Sequence, residues 1–327
     1  MPKKTGIQKA PQDGLTVDTV NKMATASNPH GLGWSYSPTL DGVTWSMLKT
    51  WQECRYKAML HILGIRPQHT SKALQIGSYV HELIEHNYPV QDILPNVAPG
   101  PNEPEEAHSR FAFAMALVEA RYEHFRKRDS EYSWAALEEV CKAPDPGSGV
   151  LMVGKVDGLV QLPKSKAGEV WLLERKTHSG QNEENFLLYL AVHGQIRWYA
   201  NLVEKAMGFK VKGVIFETIK KPSHRLKQNE TVEQYRQRVK DVISTSPDDY
   251  FARYEIYLPE TRMKEFKRSI STRLIEYWDW ANSILPSYRN ESACMVYGAC
   301  PFLEICATGN INGYKMDGQL MEEIPND

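Results

Sequence analysis

The chain has 327 residues, of which 42% are hydrophobic and 24% are charged. This composition excludes a disordered chain, a collagen-like repeat and a coiled-coil rod, and the length allows a buried core without disulfide bonds. Lys and Arg total 39 against 40 for Asp and Glu, a formal charge of -1, so a nucleic acid would have to bind a local basic patch. No apolar run approaches the roughly 20 residues that span a membrane, and the N-terminal residues lack the apolar segment of a secretory signal. We therefore expect a cytoplasmic protein without a membrane partner.

The first third of the chain is predicted to be mostly helical. Residues 1–35 are polar and lack periodicity, which predicts a flexible tail. Apolar residues at helical spacing then predict helices over 46–59, with Ser46 as the N-cap, over 77–88 and over 105–128. Prolines are concentrated between residues 89 and 104, which predicts a loop between the second and third helices.

Strand patterns dominate the middle of the chain. Residues 150–162 and 169–177 are rich in Val, Leu and Trp and are separated by PKSKAG, which predicts a β-hairpin. The mixture of strands and helices predicts one α/β domain with helical insertions over 36–310, followed by a C-terminal tail over 311–327. The remaining predicted elements are a helix over 186–207, a strand over 211–219, a helix over 230–243, a strand over 250–258 and a helix from Pro259 to about 285.

Three charged residues of the predicted hairpin suggest a metal site. Because strand side chains alternate between faces, Glu174 and Lys176 share one face. A turn over 163–168 places opposite each other the residues whose numbers sum to 331, which include Asp157 and Glu174. Two opposed carboxylates repel unless a divalent cation lies between them, and Mg²⁺ or Mn²⁺ is expected at an all-oxygen site. The alternative is a solvated face with a surface ion pair.

Four short motifs in this order resemble a known family. His81 follows Gly77 by one helical turn, and Gln195 and Tyr199 share a face of a later predicted helix. The motifs are Gly77-x-x-x-His81, Gly154-x-Val156-Asp157, Glu174-x-Lys176 and Gln195-x-x-x-Tyr199. Over roughly residues 44–307 the sequence resembles the RecB-type branch of the PD-(D/E)xK nuclease superfamily.

The resemblance implies a restriction-endonuclease-like core, a mixed β-sheet flanked by helices, and metal-dependent hydrolysis of phosphodiester bonds. It implies that Asp157, Glu174, His81 and the backbone carbonyl of Arg175 hold the metal. Lys176 would orient or help to deprotonate the attacking water and offset charge in the transition state. Gln195 and Tyr199 would contact the nucleic acid near the scissile phosphate.

Four of the five cysteines form a second candidate site. Cys294, Cys300 and Cys306 are crowded near the C-terminus, and Cys54 precedes the predicted core. Crowded thiols in a chain without a secretory signal suggest a metal rather than disulfides. Some RecB-type nucleases, among them the AddB type and CRISPR-associated exonucleases, hold a 4Fe–4S cluster with such a split set, which implies this C-terminal cysteine cluster here. A structural Zn²⁺ and buried free thiols are the alternatives, and Cys141 is predicted to be a buried thiol.

A basic segment predicts contacts to phosphate. Between residues 205 and 240 there are ten Lys and Arg against three Glu. Its densest part, KKPSHRLK, follows a predicted strand and includes Lys220, Lys221 and Arg225. Lysine and arginine in such a patch supply much of the sequence-independent affinity for nucleic acid. A solvated face without a ligand is the alternative.

Together these features predict a DNA nuclease that acts as an exonuclease on single-stranded ends in recombination, replication or repair. The chain has no phosphate-binding GxxxxGK[ST] loop, so DNA unwinding would need a helicase or recombination protein as a partner. One alternative is a catalytically silent DNA-binding module with a structural metal cluster. Another is a nuclease that processes ends in CRISPR adaptation.

Overall fold

The computed structural model describes six segments, which are 38–68, 72–90, 98–180, 183–282, 287–296 and 298–316. The predicted tail over 1–35 lies outside the described residues, as do residues 91–97 of the proline-rich loop and 317–327 of the predicted C-terminal tail. The chain divides into two compact units. The first comprises Met1–His69, Lys142–Gly154 and Glu265–Asp327, and the second comprises Thr70–Cys141 and Lys155–Lys264.

The first unit begins with strand β1 (Val43–Thr44) and helices α1 (Trp45–Glu53) and α2 (Arg55–Ile62). Thr44 has an extended backbone, and its hydroxyl accepts a hydrogen bond from the Met47 N–H at 3.1 Å. Thr44 is therefore the N-cap, and the prediction of Ser46 is wrong because the helix begins before it. The predicted continuous helix is also interrupted, since Cys54 takes an extended conformation with φ -161° and ψ 114°.

The rest of the first unit is built from short strands and helix ends. Strand β2 (Ile65–Pro67) pairs antiparallel with the late strand Tyr314–Met316, whose position in chain order makes it β8. Strand β1 runs parallel to the start of β4 (Leu151–Gln161), with Thr44 opposite Val153. The helices of this part are α8 (Glu260–Ala281), which begins directly after Pro259, and α9 (Leu303–Thr308).

The second unit contains most of a mixed β-sheet. Its strands are β3 (Ser133–Pro144), the continuation of β4, β5 (Glu169–His178), β6 (Lys210–Lys220) and β7 (Phe251–Tyr257). The order is β4-β5-β6-β7, and β3 pairs with β4. The β4–β5 and β6–β7 pairs are antiparallel, whereas β5 and β6 are parallel. The sheet therefore has the mixed character that the resemblance implied, and β3 is a strand that the sequence did not predict.

Helices pack against this sheet and bury its apolar residues. Helix α4 packs on α7, where the rings of Phe113 and Tyr235 stack at 6.2 Å, and Leu117 and Val239 are fully buried beside them. These helices are α3 (Lys72–Glu85), α4 (Glu105–Asp129), α5 (Glu183–Val192), α6 (Gly194–Met207) and α7 (Val232–Thr245). The α/β prediction is confirmed. The single helix predicted over 186–207 is wrong, because His193 is extended with ψ 121° and separates α5 from α6.

No helix in the described part of the chain is both long and apolar enough to cross a membrane.

Candidate active site

The register of the β4–β5 hairpin brings the predicted acidic residues together. Gly158 pairs with Leu173, and the next two pairs follow the same register, in which the residue numbers sum to 331. The register prediction is confirmed for these three pairs, and the Asp157 charge lies near enough to Glu174 to help raise the pKa of that carboxyl group. The Arg175 N–H donates a hydrogen bond to Asp157 Oδ2 at 2.7 Å, which holds this carboxylate at the strand pair.

Helix α3 approaches the end of β5 closely at Gly77. A Cβ atom at this position would lie 3.3 Å from Thr177 Oγ1, tighter than nine in ten real Cβ contacts. The glycine therefore permits the approach, and His81 follows one helical turn later on the same face. His81 Nδ1 lies 3.8 Å from Asp157 Oδ1. Burial lowers the pKa of His81 below its usual 6.5, so its imidazole is neutral near pH 7 and can bind a metal.

A third candidate ligand, Glu138, lies on the unpredicted strand β3. One donor atom each from His81, Glu138 and Asp157 lie within 4.8 Å of one another. Glu138 Oε1 is buried and accepts no hydrogen bond from the residues that the structure describes. Its backbone has φ 49°, in the left-handed region that non-glycine residues rarely adopt. A buried acceptor without a hydrogen bond at a strained backbone position makes Glu138 a candidate ligand.

Burial also determines the protonation of these carboxyl groups. Desolvation raises the pKa of Glu138 to about 7, and the nearby Asp157 charge adds to the increase. Desolvation likewise raises the pKa of Glu174, which is 3% exposed, to about 7, although the Lys176 ammonium opposes it. Lys176 Nζ lies 2.6 Å from Glu174 Oε1. The structure thus pairs Glu174 with Lys176 beside the group of His81, Glu138 and Asp157.

A buried network of charged side chains adjoins the candidate ligands. The Arg175 side chain is buried, and its Nη1 lies 3.3 Å from the Asp157 carbonyl and 3.7 Å from Glu138 Oε1. Its Nε lies 3.8 Å from Glu217, which also pairs with Arg121 at 2.8 Å and with Arg253. The Arg121 and Arg253 guanidinium groups hold the pKa of Glu217 far below its usual range despite its burial. Arg175 therefore joins the candidate ligands to a fully ionised internal network.

The donor set fits Mg²⁺ or Mn²⁺. Two carboxylates, one neutral imidazole and a neighbouring buried glutamate offer mainly oxygen atoms, the ligands that these cations prefer. Glu138 Oε1 is buried, accepts no hydrogen bond from the described residues and has Arg175 Nη1 at 3.7 Å, so it could bind a cation. The residues present are therefore suited to a divalent cation.

The predicted nucleic-acid contacts Gln195 and Tyr199 touch each other on helix α6. Gln195 Nε2 donates a hydrogen bond to the Tyr199 hydroxyl at 3.0 Å, across one helical turn. Tyr199 is buried, whereas Gln195 is partly exposed. Tyr199 therefore orients the amide of Gln195, which is the more accessible of the two.

The basic segment after β6 is partly neutralised by acidic partners. Arg238 pairs with Glu230 at 2.6 Å, and Lys240 pairs with Glu123 at 2.9 Å. Arg236 also pairs with Glu119. The excess of positive charge counted along the sequence is thus smaller in the fold, because acidic residues of helix α4 lie against α7.

The three predicted phosphate contacts lie before that helix. Lys220 ends strand β6 with its ammonium 6.0 Å from the ring centre of Tyr250. The Lys221 N–H donates to the His178 carbonyl at 2.7 Å, and burial lowers the pKa of the Lys221 ammonium. The Arg225 carbonyl accepts a hydrogen bond from Arg238 at 3.0 Å, which orders the loop backbone.

The first unit brings Cys54 and the C-terminal cysteines toward one region. Cys54 lies at the break between α1 and α2, and its sulfur accepts a hydrogen bond from the Asn290 N–H at 3.4 Å. Cys294 Sγ lies 3.8 Å from the Asn290 carbonyl. The Cys300 N–H donates to the Cys294 carbonyl at 2.8 Å. Backbone bonds thus place these cysteines around Asn290.

The pKa of Cys306 indicates that three thiols are neighbours. Burial raises the pKa of the Cys306 thiol, the Arg289 guanidinium opposes this, and the nearby Cys300 and Cys54 add to the increase. Among the described residues, no three cysteine sulfurs lie within 4.8 Å of one another. Cys141 belongs to the second unit, where it is 2% exposed and contacts Met207 at 3.7 Å, so its prediction as a buried thiol is confirmed.

Comparisons with known proteins place the chain among nucleases. The sequence pattern of the PD-(D/E)XK nuclease superfamily matches residues 43–307. The crystal structure of a proposed exonuclease from Eubacterium rectale is similar at 13% identity and a TM-score of 0.48, over 93% of this chain and 100% of that chain. The crystal structure of SSO0001 is similar at 14% identity and a TM-score of 0.29, over 80% of this chain and 94% of that chain. No curated protein sequence matches the chain. Because both TM-scores are below 0.5, the family assignment rests on the sequence match.

Proposed function

This chain belongs to the PD-(D/E)XK nuclease superfamily, and from that premise we propose that it hydrolyses phosphodiester bonds in DNA with the help of a divalent cation. The observation that carries the proposal is the convergence of donor atoms from His81, Glu138 and Asp157 within 4.8 Å, on elements that meet at the β4–β5 hairpin. The Glu174–Lys176 pair lies on the second strand of that hairpin. A catalytically silent module would have no need of a neutral imidazole and ionisable carboxyl groups in one place.

The proposed ligands of Mg²⁺ or Mn²⁺ are His81, Asp157, Glu174 and the carbonyl of Arg175. The Arg175 N–H donates to Asp157 Oδ2 at 2.7 Å, so the backbone of Arg175 lies beside the proposed ligands. Glu138 lies close enough to bind the ion directly or to accept from its water. A bound cation lowers the pKa of a coordinated water and stabilises charge on the phosphate.

Lys176 is proposed to act on the attacking water and on the reacting phosphate. Its ammonium lies 2.6 Å from Glu174 Oε1, and its side chain is 44% exposed. The ammonium can therefore be reached from solvent, where a substrate would bind. A fixed positive charge there stabilises the negative charge that develops in the transition state. Lys176 would also help to orient or deprotonate the attacking water.

The substrate is proposed to be DNA, with single-stranded ends favoured. Lys220, Lys221 and Arg225 would contact phosphates, and Gln195, oriented by Tyr199, would contact the strand near the scissile bond. We place the reaction in recombination, replication or repair, in the cytoplasm. A helicase or recombination protein would supply the ends.

The cysteine site is proposed to hold a 4Fe–4S cluster on Cys54, Cys294, Cys300 and Cys306. Four thiolates are the usual ligands of such clusters, and the Asn290 N–H that donates to the Cys54 sulfur is a typical support for a cluster ligand. A zinc ion bound at about 2.3 Å would draw its sulfurs to within about 4.6 Å of one another. A structural Zn²⁺ on the same thiols is the alternative.

The proposal is tested with DNA labelled at either end, single-stranded and double-stranded, incubated with Mg²⁺, with Mn²⁺ and with EDTA. We expect cleavage with either cation, none with EDTA, and products that shorten from an end of the single strand. Asp157→Asn should be inactive, and Asp249→Asn, which changes an exposed aspartate of the same unit, should keep the parent rate. Equal activity in EDTA, or in Asp157→Asn, would overturn the proposal.

A further inference from the structure

Beside the candidate metal site, an ammonium group is held between two glutamates. Lys155 Nζ lies 2.9 Å from Glu85 Oε2 and 3.3 Å from Glu138 Oε2. Glu85 lies on helix α3, Glu138 on β3 and Lys155 on β4, so three separate elements bring these groups together. The Glu138 side chain is 8% exposed and that of Lys155 is 29% exposed, which makes this more than a mobile surface pair.

Glu138 belongs to two groups at once. One of its oxygens is the Lys155 partner, and the residue also offers a donor atom to the set that it forms with His81 and Asp157. A carboxylate has two oxygens that can each face a different cation. Glu138 therefore lies between the position of the catalytic cation and the Lys155 ammonium.

This arrangement matches the plan of a two-metal site in which one ion is replaced. Where two metal ions act on a phosphate they lie about 3.5–4 Å apart. Here a second ion would need the oxygens of Glu85 and Glu138, and both are already within 3.3 Å of Lys155 Nζ. An ammonium supplies positive charge at that point without needing to be bound from solution.

The charge balance leads to the same conclusion. With its carboxyl groups ionised, the site has four carboxylates, Glu85, Glu138, Asp157 and Glu174, and three cations, Lys155, Arg175 and Lys176. One divalent cation turns the resulting single negative charge into a single positive one, which complements a phosphodiester monoanion. A second ion added beside Lys155 would leave a large excess of positive charge.

We propose that Lys155 takes the place of a second metal ion, so that the active site binds one divalent cation and Glu138 lies between that cation and the lysine. The inference rests on the proposed function, because it assumes that the site of Asp157 binds a cation. Beyond that function, we infer that the Lys155 side chain limits the active site to one divalent cation.

The test counts Mn²⁺ ions bound per full-length chain, by calorimetric titration and by the electron paramagnetic resonance signal of free Mn²⁺. We expect one ion for the parent and two for Lys155→Met. Lys142→Met, which removes an exposed lysine of β3, should keep one. Adding Glu85→Gln to Lys155→Met should return the count to one, because the second ion then loses a ligand. Melting curves check that each variant is folded.

The outcomes separate the inference from the proposed function. A parent that binds two ions, or a folded Lys155→Met variant that still binds one, overturns the role of Lys155. A parent whose Mn²⁺ count is unchanged by Asp157→Asn overturns the proposed function instead. A parent that binds one ion, lost in Asp157→Asn, keeps the proposed function whatever Lys155→Met shows.

Discussion

The carboxylate site and the cysteine site are built in opposite ways. His81, Asp157 and Glu174 project from a helix and a paired hairpin, and the Arg175 N–H holds Asp157 at 2.7 Å. Cys54 lies at a break between two helices, and Cys294 and Cys300 lie in turns that are joined by single backbone hydrogen bonds. Regular structure positions the first set of side chains, whereas in the second set only Cys306 lies on a regular element, helix α9.

The difference implies that the two sites contribute differently to stability. Glu138 and Glu174 have carboxyl groups whose pKa values burial raises to about 7, so ionising them costs free energy of folding. The fold therefore buries these two carboxyl groups at a cost in stability at neutral pH. Backbone hydrogen bonds hold the segment around Cys294 and Cys300, and a metal group bound there would add to the free energy of folding.

The largest expected effect is on catalysis at Asp157. Asp157→Asn removes the charge that faces His81 and should lower the cleavage rate by about 10³-fold or more, about 4 kcal/mol of transition-state stabilisation. Its melting temperature should not fall, because the repulsion between Asp157 and the nearby carboxyl groups is removed. Rates on end-labelled DNA and melting curves measure both. An Asp157→Asn variant with a lower melting temperature and the parent cleavage rate would contradict this prediction.

The second effect is on stability at Cys300. Cys300→Ser should lose the brown colour of protein purified without oxygen and lower the melting temperature by about 10 °C, since a bound group stabilises only the folded state. Its affinity for Mn²⁺ should stay at the parent value. Cys141→Ser, which alters the buried thiol of the second unit, is the matched control and should keep the colour. If the parent protein is colourless and contains zinc, the bound metal is zinc and not a 4Fe–4S cluster. The expected loss of stability in Cys300→Ser would still apply.

The third effect concerns the glutamate that the sequence did not reveal. Glu138→Gln should raise the dissociation constant for Mn²⁺ by about 10–100-fold, the usual range for groups that support a metal site. The control Glu139→Gln changes the next residue of the same strand, which is exposed, and should leave the affinity unchanged. If the two variants bind Mn²⁺ with the same affinity, Glu138 does not contribute to the metal site.

The smallest effect is the pH dependence of stability in the metal-free protein. The native pKa of Glu174 is raised from 4.5 to about 7, so the folded state holds a proton that the unfolded chain loses in this interval. Stability should therefore fall as pH rises from about 4.5 to about 7. Urea unfolding in EDTA at several pH values should show that Glu174→Gln removes this part of the decline. If the free energy of unfolding fell more steeply with pH in Glu174→Gln than in the parent, the predicted direction of the Glu174 effect would be wrong.

Glu217 gives the opposite sign and serves as an internal comparison. Arg121 and Arg253 depress its pKa, so its contribution to stability is present above about pH 4.5 and is lost as the pH falls through the native value. The two buried glutamates differ because Glu217 has two close guanidinium partners and Glu174 has one partly exposed lysine. The charged partners of a buried glutamate, and not its burial alone, determine whether its pKa is raised or lowered.

The hairpin could be predicted because local patterns determine its geometry. The turn PKSKAG lies between two strands rich in Val and Leu, and its centre alone sets the register, which the structure confirms for Gly158 and Leu173. The position of His81 could be anticipated from helical spacing to Gly77. What relates these motifs is the chain order of a known family rather than any single spacing.

Strand β3 could not be predicted, for a physical reason. The segment AALEEV has the composition of a helix, and its apolar and charged residues do not alternate singly as they do in a typical half-buried strand. Long-range pairing with β4 outweighs this local preference. The ion pairs of α7 with α4 were missed for the same reason, since contacts between distant segments do not appear in a count of charges along the chain.

The most direct test of the account is a crystal structure of the protein soaked in Mn²⁺, with anomalous scattering recorded at the manganese edge. We predict an anomalous peak at bonding distance, about 2.0–2.2 Å, from Asp157 and His81, with Glu138 or Glu174 also in contact. Manganese bound elsewhere, with none beside Asp157, would contradict it.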